Sequence, residues 1–77
     1  MNKLSLDQMD SGQSGIVEAI NGGQGTVRRL EALGLKVGKR ITKISSMIMR
    51  GPITIRVGGT QIAIGCGLAE KIMVAIK

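Results

Sequence analysis

Few side chains in this sequence are equipped for chemistry, and they are scattered. Cys66 is the one thiol, and the chain holds no histidine to take its proton. Nucleophilic catalysis depends on such a base, so Cys66, set between Gly65 and Gly67, reads as a small filler in a tight turn. The serines and threonines lack the same partner. The carboxylates are Asp7, Asp10, Glu18, Glu31 and Glu70. General acid–base work needs two of them in one cleft; dispersed on a basic chain, they read as solvated charges. Asp7 and Asp10 could share a cation, but hard metals take several oxygen ligands. A ferrous site favours imidazole beside carboxylate, and imidazole is absent. A lone cysteine without histidine also argues against a disulfide framework and a finger-type zinc site. No catalytic residue, cofactor or metal ligand is expected.

That leaves binding. Met47-Ile48-Met49 forms the apolar tip of a loop closed by Arg50-Gly51-Pro52. Methionine adapts to irregular partner surfaces, and exposed apolar clusters mark contacts; the alternative is that this tip folds back over the core. Arg28 and Arg29 add positive charge that would steer an acidic partner and raise its on-rate. The candidate binding residues are therefore Arg28, Arg29, Met47, Ile48, Met49 and Arg50. Asn21-Gly22-Gly23-Gln24-Gly25-Thr26 leads into a helix but has neither the dinucleotide nor the P-loop spacing, and reads as a turn.

The 77 residues suit a single domain spanning 1–77. A net charge of +6 suggests an anionic partner: nucleic acid, an acidic protein or a membrane face. With no Phe, Tyr or Trp, the chain lacks the rings on which RNA and single-strand binders stack bases. Nothing resembles a signal core or an 18-residue apolar span, and a cytoplasmic location is expected.

The positioning elements follow from periodicity. Residues 1–12 form an ordered lead-in with Leu4, Leu6 and Met9. Residues 13–20 alternate as a strand partly covered on its second face. Thr26–Leu33 reads as a two-turn helix with Val27, Leu30 and Leu33 inward and Thr26 or Gly25 as N-cap. Gly34 stops it in the left-handed region, pairing Leu30 with Leu35 in a Schellman ending. Residues 39–46 form a second strand, where Ile41 and Ile44, three apart, signal a bulge. Pro52 opens a third strand with Ile53, Ile55 and Val57 inward. Gly58-Gly59 turns it into a fourth, 60–64. Leu68–Lys71 makes one helical turn before a fifth strand with Ile72, Val74 and Ile76. Five short strands are best closed as a small β-barrel, which removes exposed edges.

Several of these residues form a pattern. Arg29-Leu30…Leu33-Gly34-Leu35-Lys36-Val37-Gly38, then Gly51-Pro52-Ile53-Thr54-Ile55-Arg56-Val57-Gly58-Gly59, then Ala69…Ile72…Val74 resembles the ferrous-iron-transport protein A family, FeoA. Leu6…Gly12…Gly15…Val17…Ile20 matches its opening strand. The resemblance implies an SH3-like β-barrel with one short helix between the first two strands. It also implies an accessory role beside FeoB, the membrane ferrous-iron transporter with a cytoplasmic GTP-binding part, and no catalytic activity of its own. Arg50 and Gly65-Cys66 depart from the family's usual residues at those places. On this reading the chain binds FeoB's cytoplasmic region and influences transport or GTP turnover. The competing readings are nucleic-acid binding by a small basic barrel, a regulatory barrel like that in iron-dependent repressors, and a homo-oligomer joined through Met47-Ile48-Met49.

Overall fold

Short alternating runs rich in β-branched residues recur along the chain. In the computed structural model, which describes residues 2–46 and 51–76, they build one antiparallel six-stranded sheet. Along the chain come β1 (Lys3–Ser5), β2 (Ser14–Ile20), α1 (Gly23–Ala32), β3 (Arg40–Ser46), β4 (Ile53–Val57), β5 (Thr60–Ile64), α2 (Cys66–Ala69) and β6 (Ile72–Ile76). The sheet order is β1-β6-β2-β3-β4-β5. Met47, Ile48, Met49 and Arg50 lie outside the described residues.

The clearest alternation gives the clearest strands. Ile53, Ile55 and Val57 of β4 are buried, and Ile62 and Ile64 stand opposite Ile55 and Ile53 on β5. Gly58, at φ +61°, makes the turn between them. Ile72 and Val74 of β6, Val17 of β2 and Ile41 of β3 complete an aliphatic interior, with Leu30, Leu35 and Ala69 brought in from the helical segments. The expected bulge in β3 is present: the register to β4 shifts between Lys43 and Ser45. A second shift, between Val17 and Ala19 of β2, accounts for apolar residues on both of its sides.

Two expectations need correction. The lead-in is itself a strand, so the strands number six rather than five; β1 pairs with β6 over three residues, too few for alternation to announce it. The sheet does not close into a hydrogen-bonded barrel either, because among the described residues no ladder joins β1 to β5. A 3-10 turn at Leu6–Gln8 ends β1, α2 follows β5 through Gly65, and these two helical turns pack on each other. Helical turns, not strand pairing, meet at that side of the sheet.

That turn is fastened by Lys43, which is 1% exposed. Its Nζ donates to the carbonyls of Leu6 at 3.2 Å, Asp7 at 3.3 Å and Met9. An ammonium has three donors and no acceptor, so three carbonyl dipoles satisfy it without a carboxylate. The Lys43 backbone binds the same segment: Gly12 N–H donates to its carbonyl at 2.7 Å, and its own N–H donates to Gln13 at 2.9 Å. Leu6 and Met9, 0% and 3% exposed, are held over the core as a result.

Gly15 marks a close crossing of β2 and β6. A Cβ there would lie 2.6 Å from Val74 Cγ1 and also strike the Ala75 carbonyl oxygen, a backbone atom of the paired strand. Two outcomes follow. Gly15→Ala, which must displace backbone, lowers stability by roughly 2–3 kcal/mol in a urea titration. Lys43→Met, which strands three carbonyls, lowers the melting temperature by roughly 10 °C, read by far-ultraviolet circular dichroism.

Candidate functional site

Helix α1 carries the two candidate arginines, and its ends determine where they point. The helix begins almost a turn earlier than the N-cap expectation at Gly25 or Thr26, because Gly22, at φ +108°, turns the chain in left-handed conformation and serves as N-cap. Thr26 is inside the helix, and its hydroxyl donates back to the Gly22 carbonyl at 3.0 Å. The C-terminus is as expected. Gly34, at φ +94°, donates to Glu31, and Leu35 N–H donates to Leu30, both at 2.9 Å. Leu30 and Leu35 are both fully buried, the apolar contact that accompanies a Schellman ending.

Arg28 and Arg29 are exposed and about 100° apart around the helix. Arg28 lines a surface cleft of about 380 Å³ with Ile20, Gly23, Gln24, Val27 and Glu31. Arg29 shares a face, at i and i+4, with Leu33 instead. Leu33 was expected inward with Val27 and Leu30, yet it is 44% exposed; Leu35, placed by the Gly34 turn, fills the core next to Leu30. Val37 in the following turn is 57% exposed. The structure thus separates the two arginines onto different faces. Met47, Ile48, Met49 and Arg50, the other candidates, fall outside the described residues.

A second concentration of charge escaped sequence reasoning. Lys39, Arg40, Thr42, Arg56 and Gly58 line a surface cleft of about 360 Å³. Arg40 and Thr42 share the outward face of β3, and Arg56 of β4 stands directly opposite Thr42. Strand pairing joins cations that lie far apart in sequence. Periodicity placed Arg56 outward, but nothing in the sequence set it beside Arg40.

Among the described residues, no three side chains of the His, Cys, Asp and Glu types lie close enough to hold a metal ion. Cys66 is a half-buried free thiol at the start of α2. Lys3–Glu18, at 3.0 Å, is the ion pair found among the described residues. No helix among them is long and apolar enough to cross a membrane. The arrangement offers exposed cations and isolated apolar side chains, which suit recognition.

Comparison with known proteins agrees with this architecture. The sequence pattern of the FeoA domain matches residues 4–76. A putative Fe(2+) transport protein A from Methanocaldococcus jannaschii is 41% identical over 63 residues, covering 82% of this chain and 74% of the relative. The crystal structure of an iron uptake regulatory protein (FeoA) superposes with a TM-score of 0.91 at 40% identity, covering all of both chains. A manganese-dependent transcriptional repressor superposes at 0.88 with 18% identity, over 97% of this chain and 42% of its own; that likeness concerns the fold alone. The mainly β, SH3-like class expected from sequence is borne out by these superpositions, although the sheet is not closed.

Exposure sets an expectation for the helix. Arg28→Glu and Arg29→Glu each leave the melting temperature within about 3 °C of the parent, as surface changes do, whereas Leu30→Ala lowers stability by roughly 2–4 kcal/mol. Differential scanning calorimetry on the three variants checks this.

Proposed function

The chain belongs to the FeoA family, and from that membership we propose that it is a cytoplasmic accessory protein of ferrous-iron uptake. It binds the cytoplasmic region of the FeoB transporter and modulates transport or GTP turnover. The observation that supports this most directly is the family match over residues 4–76, nearly the whole chain, together with 41% identity to a putative Fe(2+) transport protein. The surface is consistent with a binding module: Arg28 borders a cleft with Ile20 and Val27, while Arg29 stands beside exposed Leu33.

Recognition here is division of labour. Apolar contact with Leu33 and the cleft provides the non-directional term, about 25 cal/mol for each Å² removed from water. The arginines act on encounter rate and orientation, because an exposed cation remains hydrated and adds little net affinity. Met47, Ile48, Met49 and Arg50, which come between β3 and β4 in the sequence, extend the proposed contact. An effect on the partner requires tighter binding to one of its states than to another; equal binding to both shifts nothing.

The test is a calorimetric titration of this chain with the cytoplasmic part of FeoB from the same source, repeated with each guanine nucleotide. Binding is expected, with unequal affinity across nucleotide states. Arg28→Glu and Met49→Asp each weaken it by roughly tenfold. No binding in any nucleotide state overturns the partnership. Binding that both variants leave unchanged overturns the proposed surface.

A further inference from the structure

Beyond the iron-transport reading, and resting on different residues, we propose that the cleft bounded by Lys39, Arg40, Thr42 and Arg56 is a binding site for a phosphate group carrying two negative charges. Three features of the outward sheet face carry the proposal.

The first is convergence of charge. Lys39, Arg40 and Arg56 line one cleft of about 360 Å³, and none of them forms an ion pair among the described residues. Like charges held together on adjacent strands repel one another. A bound anion removes that cost. The second is the donor set. Ser14, Thr42, Arg56 and Gln61 occupy one continuous row across β2, β3, β4 and β5. Ser14 and Thr42 share a hydroxyl hydrogen bond of 2.8 Å. When Ser14 donates in that bond, the Thr42 proton is free to point at a ligand. Two arginines, one lysine and one threonine then line a single cleft.

The third is stoichiometry of charge, which chooses among anions. A carboxylate brings one charge and two oxygens, fewer than this donor set can use. A phosphate monoester brings about −1.5 to −2 at neutral pH and three acceptor oxygens. Its oxygens match the forks of arginine in bidentate geometry. Nearby, Gly58 adds no side chain to the rim, and a Cβ built there meets nothing within 4 Å, so the cleft mouth is unobstructed at the turn.

The experiment is an amide proton–nitrogen correlation spectrum of the full chain, titrated above the second phosphate pKa of about 6. The probes are inorganic phosphate, glycerol phosphate and pyrophosphate, each against sodium chloride at matched ionic strength. Saturating shifts are expected at residues 39–42 and 56–58, with pyrophosphate roughly tenfold tighter than phosphate. Arg56→Gln and Arg40→Gln each weaken binding about fivefold or more, and Arg29→Gln does not. The dispersed spectrum of each variant verifies that it is folded. Equal affinity for inorganic and glycerol phosphate supports the site and marks the free anion as sufficient. Preference for the ester supports it and marks a larger phosphorylated molecule. Shifts that merely track ionic strength, or that persist undiminished in both arginine variants, overturn the proposal. Such a failure leaves the FeoB reading untouched, since that one is measured on α1 and residues 47–50.

Discussion

An ammonium group sealed from water must be surrounded by oxygen, and Lys43 finds it in the backbone of residues 6–9. Transferring such a charge out of water costs several kcal/mol unless each donor is matched, and here each is. The consequence is global because the carbonyls belong to the segment that follows β1. Leu6 and Met9 cover the core only while that segment is held down, and the 3-10 turn meets α2 only in the same state. Carbonyl dipoles neutralise the charge diffusely, so the core contains a cation without any buried carboxylate among the described residues. No buried side-chain nitrogen or oxygen among the described residues is left without a partner, which extends the same economy to the whole interior.

The division between what was legible in the sequence and what was not follows from interaction range. The hairpin of β4 and β5 could be read because its signals are local: a strict two-residue period and a glycine pair at the turn. Gly34 and Leu35 could be read for the same reason, since the helix ending is written within six residues. Lys43 could not. The two-residue period puts Lys43 on the face of Ile41, but its charge argues for water, and only the carbonyls of the 3-10 turn above it make an inward lysine stable. β1 is three residues long and pairs with the far end of the chain, so no local period reveals it. The early start of α1 was hidden by Gly23 and Gly25, residues that disfavour helix yet stand in its first turn. Barrel closure was inferred from the general liability of open edges; helical turns manage that seam instead.

Recognition chemistry on this surface divides in the same manner. Arg28 and Arg29, adjacent in sequence, diverge around α1, while Arg40 and Arg56, sixteen positions apart by their numbers, converge through one cross-strand register. Sequence proximity is thus a poor guide to shared surface on either element. Of the candidate residues, only the arginine pair lies within the described residues, and its separation came from helical geometry. The basic cleft on β3 and β4 needed the register itself.

The backbone closure at Gly34 bears on the thermodynamics of any encounter at α1. Two hydrogen bonds and the buried Leu30–Leu35 contact end the helix, and Gly38 N–H then donates to the Val17 carbonyl at 2.8 Å, fastening the exit to β2. Main-chain hydrogen bonds of this segment are thus made within the fold itself. What remains to be immobilised is side chain alone, about 0.5–1.5 kcal/mol for each long arginine. A short helix anchored so firmly behaves toward its surroundings as a preformed lattice of attachment points, and differences between visitors are then decided by their own rigidity.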